Sequence, residues 1–233
     1  MARGRMRAAA WHGHGGLVSS LVLIVPLLLA YDLGVLLSPT ASGADVLSGA
    51  IFALCDHSVI AYLLVHAGTA LGFMWWVRRT GHHGSLAVDV VGPLVLEAAI
   101  YALTLGALVG LLVHDVLGLG VRLGSAGTAV VTSLGAGVHE ELVFRLGALA
   151  GGAALLRRVG VGCRLAFAVA LIASSLLFAL AHHVGAHGEP WLLHVVVFRT
   201  LCGVAFGCIF WWRSLAHAAY AHVLYDLYVS VIR

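Results

Sequence analysis

Long, unbroken apolar runs constrain this chain more than any other feature. They cover 17–37, 49–77, 86–113, 128–156, 163–181, 191–212 and 215–232. A helix crosses a hydrocarbon core of about 30 Å with roughly 20 residues, so each run is near or above the length of one span. Inside lipid every backbone N–H and C=O must be satisfied by the protein itself, which leaves helices or closed barrels. The runs are continuous rather than alternating, so a barrel is excluded. Only 10% of the residues are charged, against about 25% in a soluble domain. The expected fold is all-α: a polytopic transmembrane helix bundle of about seven spans, or eight if one long run is a broken pair. The 233 residues suit one integral membrane domain, 1–233, with nothing left over for a soluble one.

Arginine placement sets the expected orientation. All thirteen basic residues are Arg. With the N-terminus inside, nine of them fall on the cytoplasmic side: Arg3, Arg5, Arg7, Arg78, Arg79, Arg157, Arg158, Arg164 and Arg213. Arg122 and Arg233 fall outside, while Arg145 and Arg199 lie within spans. This asymmetry is the positive-inside pattern and favours seven helices in a bacterial inner membrane, N-terminus inside. The first run is too long for a signal-peptide core and has no small-residue cleavage site after it, so it reads as an uncleaved helix. A formal charge of +3, dispersed along the chain, excludes nucleic acid as a partner. The cysteines Cys55, Cys163, Cys202 and Cys208 form no CxxC pair and read as small buried hydrophobes. Gly106/Gly110, Gly147/Gly151 and Gly203/Gly207 have the spacing of close helix packing, here within the bundle rather than across a dimer. Trp75-Trp76 and Trp211-Trp212, each beside Arg, read as interfacial anchors.

One of these runs carries charges that lipid does not tolerate without a reason. Glu140, Glu141 and Arg145 sit in the middle of 128–156. Each costs roughly 3 kcal/mol at a bilayer centre on insertion scales, which makes them a functional-site hypothesis by default. Helical phase separates them. Glu141 and Arg145, four apart, share a face and can neutralise each other, whereas Glu140 is turned about 100° away. Two later spans carry polar groups that can meet it: His182 at the end of 163–181, and His222 with Asp226, again four apart, in 215–232. Left alone, each patch would face lipid unsatisfied, so the three are expected to converge on one buried polar cavity.

At these residues the chain resembles the CPBP (CAAX-protease and bacteriocin-processing) family of glutamic intramembrane proteases. The family pattern EExxxR, FxxxH and HxxxN or HxxxD reads here as Glu140-Glu141 with Arg145, Phe178 with His182, and His222 with Asp226. The resemblance covers roughly 125–233, which it marks as the catalytic core. It implies a metal-independent peptidase without a cofactor, acting on a membrane-anchored protein or peptide in the bilayer. It also implies that Glu140 is the general base and His182 its partner in polarising water. Glu141, Arg145 and Phe178 would structure the site, and His222 with residue 226 would stabilise the oxyanion. Where family members often have Asn, this chain has Asp226. An ionised Asp cannot donate to an oxyanion, so Asp226 is expected to orient His222 and favour its imidazolium.

Two other readings compete. Glu, Asp and His are also metal ligands, so a metal-dependent membrane enzyme or transporter is one alternative, against which HExxH is absent. A non-catalytic immunity or assembly protein on the same scaffold is the other. The run boundaries place Glu140 near mid-membrane and His182 toward the outer end of its span, a mismatch in depth. His139 is expected to be peripheral to the site. Asp32, Asp56, His57, His66 and Glu97 are polar residues in apolar spans, to be paired with one another or lining the cavity. Arg199 needs a partner or a route to the interface.

Overall fold

The computed structural model describes residues 16–37, 51–81, 87–110, 129–184 and 188–232. Arg3, Arg5, Arg7, Arg122 and Arg233, and the expected outer loops 38–48 and 114–125, lie outside the described residues. Among those described there is no strand and there are seven long helices. They are α1 (Leu17–Leu37), α2 (Val59–Thr80), α3 (Val88–Gly110), α4 (129–158), α5 (Cys163–Ala181), α6 (Leu193–Trp212) and α7 (Leu215–Ile232). The bounds of α1, α5 and α7 coincide with the apolar runs. The run 49–77 does not form a single helix. Asp56 and His57 take left-handed backbone angles (φ 51° and 57°), and Ser58 then caps α2 by accepting from the Ala61 N–H at 3.3 Å. Gly81, also left-handed at φ 76°, closes the other end of α2 by donating its N–H to Val77 O.

The protein is an integral membrane protein. Val59–Thr80, Val88–Leu105, Cys163–Ala181 and Leu193–Trp212 are long and apolar enough to cross a bilayer. On α2 the side chains of Ile60, Leu64 and Trp75 are 72%, 67% and 63% exposed, which is the surface a lipid-facing helix presents. The helices that carry the motif charges, α4 and α7, lie instead at the centre. α7 packs against α1, α3, α4 and α6. Its Ala216, Ala218, Ala219 and Ala221 are completely buried, and side chains this small let the neighbouring backbones approach.

α4 is not a uniform helix. Ala129–Gly135 and Gly152–Arg158 are α-helical, and Ala136–Gly151 between them winds more widely, as a π-helix. Such winding is rare and occurs mostly at functional sites. Two close approaches fix its place. A Cβ on Gly137 would lie 2.8 Å from the Val223 backbone nitrogen of α7, and one on Gly203 of α6 would lie 2.9 Å from Ser175 Cα of α5. Gly207 likewise leaves room only for Leu171. The glycine spacing in α6 therefore serves packing, as expected. That in α4 does not: Gly147 and Gly151 meet no neighbouring helix within 4 Å. We expect Gly137→Ala to force α4 from α7 and to cost about 1–3 kcal/mol, as overpacking does elsewhere, seen as a lowered melting temperature in detergent.

The arginine-bearing ends gather at one end of the bundle. Arg157, Arg158 and Arg164 flank the α4–α5 turn. The end of α6 joins them, with Trp211 4.4 Å from Phe167. α2 runs antiparallel to α1, tied by His66 Nε2 to Asp32 Oδ2 at 3.1 Å near the α2 start, so Arg78 and Arg79 return toward that same end.

Candidate active site

Arg145 and Glu141 form the sealed floor of the polar cluster. Their side chains are 1% and 0% exposed, and Arg145 Nε lies 3.1 Å from Glu141 Oε2. The guanidinium carbon stands 4.5 Å from the centre of the Phe178 ring and 5.7 Å from that of Phe206, cation–π contacts worth most where water is excluded. Arg145 Nη2 also reaches Gly203 O at 3.5 Å. Phe178, fully buried and edge-on to Phe144 at 5.4 Å, is thereby the surface on which the charge rests.

Glu141 has a second partner that the sequence spacing did not reveal. Its Oε1 accepts from His222 Nδ1 at 2.8 Å, across 81 residues. The pair assigned to mutual neutralisation is in fact a chain, Arg145–Glu141–His222. The His222 ring also stacks on Phe206, with centroids 4.4 Å apart and planes 16° apart. Phe206 and Gly203, on α6, had no signal in the sequence beyond the apolar and small character of any packed span.

Glu140 points elsewhere, as helical phase required. Its Oε2 lies 3.7 Å from His182 Nε2 and 3.8 Å from His222 Nε2, and it makes no hydrogen bond among the described residues. His182 Nδ1 donates to Phe178 O at 2.8 Å, so in the neutral ring Nε2 carries the lone pair. Asp226 Oδ2 is 3.5 Å from His222 Nε2. Asp226 therefore reaches the ring, but at the nitrogen that faces Glu140, while the shorter hold on Nδ1 belongs to Glu141. All three patches meet. His182 and Asp226, with side chains 16% and 23% exposed, mark the open side of the cluster.

The expected mismatch in depth disappears in the structure. Glu140 lies eighteen residues before Arg158 and His182 nineteen after Cys163, so the antiparallel pair α4/α5 brings them level. The run 128–156 is longer than a span needs, so its midpoint does not fix a level relative to the end of 163–181. Counted in α-helical rise along α5, that level is roughly 28 Å from the arginine-rich turn.

The other polar residues fall outside the cluster. His139 Nδ1 bonds Gly135 O at 3.0 Å, and its ring meets Tyr31 of α1 edge-on. Asp32 pairs with His66. Glu97 takes Arg213, whose Nη2 is 2.5 Å from Oε2, and also bonds Tyr101 and lies 3.6 Å from His217 Nε2. Arg199 pairs with Glu189 in the α5–α6 connection.

The fold and the cluster define the class: a helical membrane protein with glutamate, histidine and aspartate gathered in its centre. Sequence comparison narrows the class: the model of the family described as Type II CAAX prenyl endopeptidase Rce1-like matches residues 122–228, which hold every motif residue. The matched segment, a little under half of the chain, is thus similar to the CAAX-type endopeptidases of the CPBP family. No curated protein and no solved structure matches it.

Proposed function

We propose that the protein is a glutamic intramembrane endopeptidase whose water is activated between Glu140 and His182. The observation that carries this reading is the Glu140 carboxylate, buried, without a hydrogen bond, and faced by two imidazole nitrogens at 3.7 and 3.8 Å. These separations exceed a direct hydrogen bond and suit one bridging water. A water donating to Glu140 Oε2 and to His182 Nε2 turns its lone pair toward a peptide carbonyl. As the C–O bond forms, its proton passes to Glu140. Glu140 then returns that proton to the amide nitrogen, the C–N bond breaks, and the second proton of the water passes by way of His182 Nε2 to the released amine, leaving a carboxylate and an ammonium group.

His222 serves the opposite side of the carbonyl. With Nδ1–H given to Glu141, an imidazolium carries a second proton on Nε2 that can be donated to the developing oxyanion. The surrounding Glu141 and Asp226 carboxylates favour that charged form, which is the role we assign to Asp226 in place of the amide of other members. Arg145 and Phe178 hold Glu141 and hence the ring.

The substrate class consistent with the family is a membrane-anchored protein segment: a C-terminal sorting tail, a leader or a CAAX-like end. We place the catalytic core at 125–233 of a single, seven-span domain in a bacterial inner membrane, N-terminus inside. In that orientation the site lies in the outer half, away from the arginine-rich end.

The test is a comparison of protein termini in cells lacking the gene and cells carrying Glu140→Gln. Both should accumulate the same uncut membrane proteins, and a Glu140→Gln strain with wild-type termini would refute the reading. A second expectation separates this chemistry from metal catalysis. Cleavage by the purified protein should persist at an unchanged rate after treatment with EDTA or phenanthroline. Loss of activity that added zinc restores would assign the glutamates and histidines to a metal instead.

A further inference from the structure

Among the described residues only one of the arginine–glutamate pairs is sealed. Arg145 and Glu141 are 1% and 0% exposed, whereas Arg199 and Glu189 are 22% and 33% exposed. Arg199 uses two points of its fork: Nε donates to Glu189 Oε2 at 3.1 Å and Nη2 to Glu189 Oε1. Nη1 meets no acceptor among the described residues.

The open pair belongs to the same face as the catalytic cluster. Arg199 precedes Gly203, which contacts Arg145, by one turn of α6, and Phe206, which stacks on His222, by two. Glu189 in turn is bound to the edge of the site. Its N–H donates to His182 O at 2.8 Å, and its own carbonyl accepts from His183 Nδ1 at 2.9 Å. Burial raises the Glu189 pKa, but the Arg199 hydrogen bonds and charge outweigh it and hold the carboxyl below its ordinary range. An ionised carboxylate of the chain thus occupies an arginine fork beside His182.

The pair is partly exposed, so a carboxylate from outside can reach it, and exchanging Glu189 for that carboxylate leaves the guanidinium paired throughout. We propose that Arg199 is a carboxylate-binding subsite of the active site, from which the C-terminal carboxylate of the substrate displaces Glu189. This rests on the peptidase reading above for its place in a reaction, though not for its binding chemistry. The fork suits a planar carboxylate through two parallel hydrogen bonds. Seven residues of α6 from Phe206 to Arg199 rise about 10 Å, the reach of two or three extended residues. The subsite therefore directs cleavage to a point close to the C-terminus and makes the released fragment short. An acidic side chain is the other source of the same chemistry.

The experiment uses three pools of randomised decapeptides free of Asp and Glu, each bearing a benzophenone. One ends in a free carboxylate and one in a carboxamide. The third ends in a carboxamide but carries a glutamate next to it. Photo-crosslinking to the full chain in detergent, in the Glu140→Gln background, reads binding without turnover. The acid pool should be captured about tenfold or more over the amide pool, as expected for charge-assisted bonds. That ratio should fall to near one with Arg199→Gln added, drop clearly with Arg199→Lys, which keeps the charge but not the fork, and rise with Glu189→Gln. Equal capture of acid and amide, or a preference that survives Arg199→Gln in folded protein, overturns the subsite. Capture of the glutamate pool at the acid level, lost with Arg199→Gln, supports it with a side-chain carboxylate as ligand. Wild-type protein given the acid pool reports cleavage in parallel by mass spectrometry. If no cut appears there, the peptidase reading fails while the crosslinking ratio still decides the subsite.

Discussion

Glu140→Gln is expected to abolish cleavage and leave the protein folded. A carboxamide has nearly the same shape but cannot take a proton from water, so the loss should be at least that of a general base, roughly 10²–10⁴-fold. Stability should move little, and in a particular direction. The Glu140 carboxylate is 6% exposed and makes no hydrogen bond, so the change removes a buried charge without leaving a donor stranded. The melting temperature in detergent should be unchanged or higher. Glu141→Gln gives the contrast. It weakens the holds on both Arg145 and His222, made at 3.1 and 2.8 Å, so activity and stability should fall together. Wild-type turnover by Glu140→Gln would remove Glu140 from the chemistry. A large fall in its melting temperature would instead show that the carboxylate is structural.

This contrast rests on a division that the sequence carried only in part. Helix phase is a local property, so the separation of Glu140 from Glu141 and Arg145 could be read from spacing alone, and so could the pairing of His222 with Asp226. The bounds of α1, α5 and α7 were equally legible, because lipid permits an apolar run little besides a helix. Axial register between helices is not local. Nothing near Glu141 announces His222, 81 residues away, and nothing in α6 announces that Phe206 lies under an imidazole. The expected mismatch between Glu140 and His182 arose for a related reason. Apolarity records where a helix tolerates lipid, whereas level is set by the α4–α5 turn from which both strands of the hairpin are counted. The break after Cys55 does show in the sequence, as the polar Asp56-His57-Ser58, but the apolar stretches on both sides let it pass for polar residues within one long span. The π-helical winding of Ala136–Gly151 leaves no trace in hydropathy.

Arg145→Ala should do the reverse of Glu140→Gln, losing folded protein first and activity as a consequence. The guanidinium fills a closed space between Glu141, the rings of Phe178 and Phe206, and Gly203 O. Truncating it leaves a void and strands Glu141, which is 0% exposed, with His222 alone. Breaking a buried pair by removing one partner costs about 3–5 kcal/mol, a large share of the stability of most domains. The yield of monodisperse protein and its melting temperature should both drop sharply. The cause can be separated from the void. If the unpaired carboxylate dominates, Glu141→Gln added to Arg145→Ala should recover part of the loss, since the charge left behind is then neutral. If the lost packing against Phe178 and Phe206 dominates, the double variant should be no better than Arg145→Ala, and Arg145→Met, which refills the space without charge, should be the one that recovers. Neither rescue is expected to restore cleavage, because both lack the Arg145–Glu141 pair that stands behind His222 Nδ1.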